Sequence, residues 1–88
     1  MNRASKILTE IQEMMAPLTH ARFDGPEVYA TISRKLEELR SLNIDELLLG
    51  MIDFQTRVIL NMEPGDPQDA VASLLNEIAI WKEQNDPD

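Results

Sequence analysis

Apolar residues recur along this chain at the three- and four-residue spacing of helices that face a core, in four stretches separated by proline, glycine or capping residues. In the first stretch Ala4, Ile7, Leu8, Ile11, Met14, Met15 and Leu18 share one side of a helical wheel, opposite Glu10 and Glu13. The pattern predicts a helix from about Arg3 to Ala16. Pro17 ends it, because the residue before a proline is pushed out of the helical region. The second helix is expected to begin at Asp24-Gly25-Pro26-Glu27, with Asp24 capping the free amides and Glu27 three residues on. Val28, Ile32, Leu36 and Leu39 form its stripe, with Tyr29 on the flank.

Asn43-Ile44-Asp45-Glu46 reads as the start of the third helix, with Asn43 as cap, Glu46 at the third helical position, and Leu42 and Leu47 as a hydrophobic staple across the cap. This helix is expected to reach about Met62 and is the most apolar of the four. Leu47, Leu48, Met51, Ile52, Phe54, Val58, Ile59 and Met62 form a broad arc, opposite Glu46, Asp53 and Arg57. Glu63-Pro64-Gly65 breaks the chain. Asp66-Pro67-Gln68-Asp69 restarts it with a cap, a proline at the first helical position and a second acid in the first turn. Val71, Leu74, Leu75, Ile78 and Trp81 build the last stripe, which ends near Gln84. The four stripes predict an all-α fold: one small four-helix bundle-like domain over residues 1–84, followed by a disordered acidic tail over 85–88. Eighty-eight residues suffice for one core and not for two.

Charge sharpens this picture by its placement. The net charge is −8. Residues 1–40 carry six bases and six acids, whereas residues 41–88 carry two bases, Arg57 and Lys82, against ten acids. The whole excess therefore lies in the second half. A field of this sign repels phosphate backbones and anionic membranes and attracts basic surfaces, so direct nucleic-acid and membrane binding are not expected. No apolar run approaches the roughly 20 residues of a membrane-spanning helix, and the opening MNRASKILTE does not read as a secretory signal. With no cysteine in the chain, a cytoplasmic location is the expectation.

The inventory for catalysis is thin. His20 is the only histidine and stands in a polar loop with no cysteine or second histidine to share a metal. Glu63, Asp66 and Asp69 lack the alternating ligands and distal glutamate of a calcium loop, and helix capping accounts for the two aspartates. Glu46 and Asp53 lie seven residues apart on one helix, on its polar side. Gly25, Gly50 and Gly65 are too scattered to form a phosphate loop. No enzymatic activity, cofactor or metal is expected.

Two resemblances bear on function. The segment from Leu42 to Trp81 resembles the second half of an acyl carrier protein, a small, acidic, four-helical family with a long apolar–acidic second helix and a last helix like the one carrying Val71, Leu74 and Ile78. In that family a serine within Asp-Ser-Leu carries the phosphopantetheine arm. Here Asn43-Ile44-Asp45 stands on that triplet, and Ser41, in Arg40-Ser41-Leu42, lacks the preceding aspartate. The chain is also similar in size and charge to bacterial immunity proteins. The colicin nuclease inhibitors among them end in a helix bearing a tryptophan, as Ile78–Trp81 does, although their Asp-x-x-Tyr-Tyr-Pro stretch has no counterpart here.

These features together predict a non-catalytic protein-interaction module that binds and neutralises or chaperones a partner with a basic surface, of the immunity, inhibitor or secretion-chaperone type. The alternatives are a self-associating structural subunit, such as a homodimer, or an acyl-carrier-like protein without its serine. The expected contact surface takes apolar residues off the main stripes. Leu49 and Leu60 lie about 20° apart on the wheel, and Ile80 lies opposite Val71 and Leu74, with Asp53, Glu77 and Glu83 as an acidic rim; the alternative for Leu49 and Leu60 is burial, since the third helix is surrounded on most sides.

Overall fold

Apolar spacing gives a helix a face to bury, but its ends lie where the first free amides and the last free carbonyls find partners. The structure, a computed structural model, describes residues 2–17 and 25–85. It contains four helices: α1 (Arg3–Met15), α2 (Gly25–Ser41), α3 (Glu46–Ile59) and α4 (Pro67–Asn85). There is no strand among the described residues, so the fold is all-α. Asn2 caps α1, its side chain accepting from the Ser5 amide at 2.8 Å. Asp66 accepts from the Gln68 amide at 2.9 Å and Pro67 opens α4, as the sequence predicts. Leu18, His20 and the Asp24 cap expected for α2 lie outside the described residues, as does the tail beyond Asn85, which is itself the last residue of α4.

Both ends of α3 differ from expectation for the same reason. Asn43 does not cap α3; it terminates α2. It adopts a left-handed backbone, φ +60°, while its amide donates to the Arg40 carbonyl and the Ile44 amide to the Leu39 carbonyl. That pair of bonds is a Schellman turn, for which asparagine is the commonest substitute for glycine. The cap of α3 is Asp45, whose carboxylate accepts from the Leu47 amide at 2.9 Å. The turn recurs at the far end. Asn61, at φ +62°, donates to Val58 and the Met62 amide donates to Arg57, so α3 stops at Ile59 rather than Met62. With the cap two residues further on, Leu42 and Leu47 cannot form the expected staple. Both are exposed, Leu47 by 83%.

The helices run up, down, up and down, each packed against its neighbours in the chain, with α4 closing the ring on α1. Arg3 pairs with Glu38 and Lys35 with Glu10 across α1 and α2, and Gln12 donates to the Leu75 carbonyl across α1 and α4 at 3.2 Å. Ile7, Leu8 and Ile11 of α1, Ile32 and Leu39 of α2, and Leu74 and Ile78 of α4 fill the core from the predicted stripes. On α3 the buried stripe is Leu49, Ile52, Thr56 and Ile59, joined at its edges by Leu48, Val58 and Leu60. Thr56 is fully buried because its hydroxyl donates to the Ile52 carbonyl at 2.7 Å, leaving no polar atom unsatisfied. Relative to the predicted arc, α3 is turned about its axis, and Leu47 and Phe54 point to solvent.

The two glycines flanking this geometry should respond oppositely to alanine. At Gly50, exposed within α3, an added Cβ would meet nothing within 4 Å. Gly50→Ala should therefore stabilise the fold by about 0.5–1 kcal/mol, read from the urea midpoint. At Gly65, φ +151°, the Cβ would lie 2.7 Å from Val58 Cγ1. Gly65→Ala should lower stability by about 1–3 kcal/mol in the same experiment.

Candidate functional site

Because α3 hides Leu49, Ile52, Thr56 and Ile59, a second apolar row runs along its seam with α4: exposed Leu47 and Phe54, half-buried Met51, and Val58, which is buried at the edge of the core. This row follows the same three- and four-residue spacing, set about half a turn away from the core stripe. Two hollows indent the seam. One, of about 190 Å³, is walled by Leu47, Leu48 and Met51 of α3 and by Glu77, Ile80 and Trp81 of α4. The other, of about 260 Å³, lies between Phe54, Gln55 and Val58 on α3 and Asp69, Ala70 and Ser73 on α4. Leu47, Phe54 and Ile80 are the large apolar side chains most exposed here, at 83%, 45% and 41%. Half-buried Trp81 also walls a hollow of about 400 Å³ at the end of the bundle, beside Ala4, Leu42 and Ile44.

The seam is acidic. Asp45 and Glu77 edge the first hollow and Asp66 and Asp69 the second, and neither hollow is lined by a base. None of the four is ion-paired among the described residues, although Asp45 and Asp66 each give an oxygen to a helix cap. The two bases of the second half of the chain do not offset them. Lys82 reaches back to α1, donating to Thr9 Oγ1 at 2.7 Å and Gln12 Oε1 at 3.1 Å. Arg57 lies 3.4 Å from Asp53 and 3.2 Å from Glu63, with its guanidinium 5.9 Å from the centre of the Phe54 ring.

Of the residues expected to form a contact surface, the structure brings two together: Ile80 and Glu77 share a wall of the first hollow. Leu49, at 0% exposure, and Leu60, at 8%, belong to the core and contribute no surface, so of the two readings open for them the contact-surface one is corrected and burial holds. They are buried because the true stripe of α3 is centred near them. Asp53 faces α2 instead of α4, and Glu83 is exposed on α4 outside both hollows. Leu47 and Phe54 were missed because the sequence pattern places them in the core arc, whereas Met51, half-buried against the core, keeps part of its predicted place. The signal that separates them is the 3-4-3 spacing of Leu49, Ile52, Thr56 and Ile59, visible once threonine is allowed a buried place.

On the α2 side of α3 a polar cluster pins the two helices. Tyr29 Oη donates to Asp53 Oδ1 at 2.7 Å, and Asp53 is in turn paired with Arg57. Glu46 pairs with Arg40 at 3.2 Å. Ser41, last residue of α2, donates its hydroxyl to the Glu38 carbonyl at 2.6 Å. No group of three histidine, cysteine or carboxylate side chains that could hold a metal ion occurs among the described residues. No helix among them is long and apolar enough to cross a membrane.

The hydrogen bond to Asp53, followed by burial, raises the Tyr29 phenol above its ordinary value of 10.0. A group raised on folding stabilises the fold below its unfolded value and loses that contribution as the pH rises through its folded value. Stability should therefore hold up to about pH 10 and fall above it. Tyr29→Phe should cost roughly 1 kcal/mol at neutral pH and flatten the alkaline loss, both measured by denaturation at several pH values. Compared with protein-family models, with curated proteins and with solved structures, the chain finds no match.

Proposed function

We propose that this chain is a non-catalytic protein-interaction module whose contact surface is the α3–α4 seam, and that its partner presents a basic surface. The observation that carries this reading is the outer row of α3. Leu47 and Phe54 stand exposed along the seam with Met51 half-buried between them, Leu47 and Met51 share a hollow with Ile80, and the acids that edge the two hollows have no base among the lining residues. An apolar centre within a charged rim is the anatomy of protein interfaces: the centre excludes water, and the rim steers and selects the partner. Stoichiometric masking of a basic surface, as an immunity protein, inhibitor or secretion chaperone performs it, is the role that fits this arrangement.

Leu47 and Ile80 separate binding from folding. Both are exposed, so Leu47→Glu with Ile80→Glu should change stability by no more than about 0.5 kcal/mol per site. The same pair should weaken partner binding by about 2 kcal/mol or more. Affinity capture from the native cell with both forms checks this. A protein retained by the natural chain at low salt and lost by the double variant supports the surface. Retention of the same proteins by both forms places the contact elsewhere, and a chain that retains nothing in either form counts against the module reading.

A further inference from the structure

The two hollows repeat at a fixed interval. On α3 the first is walled by Leu47, Leu48 and Met51 and the second by Phe54, Gln55 and Val58, each seven residues on. On α4 the same step relates Ala70 to Glu77 and Ser73 to Ile80. At 1.5 Å per residue the hollows are about 10 Å apart, the distance between side chains two turns apart on a helix. A seam with this repeat matches a third helix laid along it, whose apolar residues at i and i+7 enter the two hollows as knobs enter holes.

An extended segment would fit less well. The backbones of α3 and α4 already satisfy their own hydrogen bonds, so the seam offers a strand no ladder of donors and acceptors, whereas a helix brings its backbone satisfied. Charge decides what kind of helix. Each hollow is edged by two carboxylates and no base: Asp45 and Glu77, then Asp66 and Asp69. A second copy of this chain packed outer row to outer row would set these acids against their own kind, on a chain whose net charge is −8. We infer that the α3–α4 seam receives an amphipathic helix of a partner protein, with apolar residues seven apart and lysine or arginine flanking them. This rests on the seam being the contact surface proposed above, and it names the shape and chemistry of what docks there. The occupant spans about 12 residues, since Leu47 to Val58 covers roughly 17 Å of the 33 Å bundle.

The test uses the full chain and three synthetic 14-residue peptides. One has leucines on an i, i+3, i+7 stripe flanked by lysines; the second has the same composition scrambled; the third has the stripe with glutamates for the lysines. Binding is read from the emission of Trp81, the only tryptophan, and from backbone amide shifts. The basic striped peptide should bind saturably at one per chain, with shifts concentrated over residues 47–58 and 70–80. Its affinity should exceed that of either control at least tenfold and fall at least tenfold in Leu47→Glu or Phe54→Glu. Equal binding of the scrambled or acidic peptide, shifts that map elsewhere, or no binding up to millimolar peptide would overturn the inference. So would sedimentation of the free chain as a dimer that Leu47→Glu splits. If cellular capture depends on Leu47 and Ile80 while the striped peptide fails, the surface stands and the helical occupant falls. If capture is indifferent to those residues, the surface itself falls.

Discussion

The rotation of α3 about its own axis is the constraint on which the rest of the molecule turns. α3 is packed between α2 and α4, and the row it commits inward determines what each neighbour meets. That row contains a threonine. Without the bond from the Thr56 hydroxyl to the Ile52 carbonyl, a polar atom would be stranded among leucines and isoleucines, at a cost comparable to losing a hydrogen bond in the core. With the bond made, Leu49, Ile52, Thr56 and Ile59 close the interior, Asp53 turns toward Tyr29 of α2, and Leu47 and Phe54 are left outside with Met51 half-buried between them. The polar cluster on one side of α3 and the apolar seam on the other are two outcomes of one choice of angle.

The turns at either end hold α3 to that choice. Asn43 and Asn61 both take the left-handed backbone that closes a helix, so α3 is bounded by two turns of the same design, with Asp45 as its cap. Charge is arranged around the same frame. On the α1–α2 side bases and acids meet in pairs, Arg3 with Glu38 and Lys35 with Glu10. Along α3 and α4 the acids outnumber the bases, and Lys82 and Arg57 are drawn to other partners. The surface is thus divided into a neutralised half and an acidic half.

Much of this was legible in the amino-acid sequence. The stripes of α1, α2 and α4, the cap at Asp66-Pro67 and the all-α class follow from spacing and capping chemistry alone. Asparagine was the first source of error. It serves equally as an N-cap and as the left-handed residue that ends a helix, and only the next carboxylate, Asp45, supplies the cap that decides between them. Threonine was the second. Counted as polar, Thr56 obscures the inner row and shifts the apparent core toward the outer one, which leaves Leu49 and Leu60 as surface candidates and puts Leu47 inside. Of the candidate surface only the α4 side was legible: Glu77 and Ile80 fall off the single apolar stripe of α4, as the spacing predicts, whereas α3 has two stripes and a wheel cannot rank them.

Leaving Leu47 and Phe54 in water carries a consequence for the free chain in solution. Exposed apolar rows make proteins adhere to one another, and like charge around such a row opposes that adhesion. Toward the isoelectric point the net charge falls to zero and that repulsion fades while the apolar row stays, so colloidal stability should fail before the fold does.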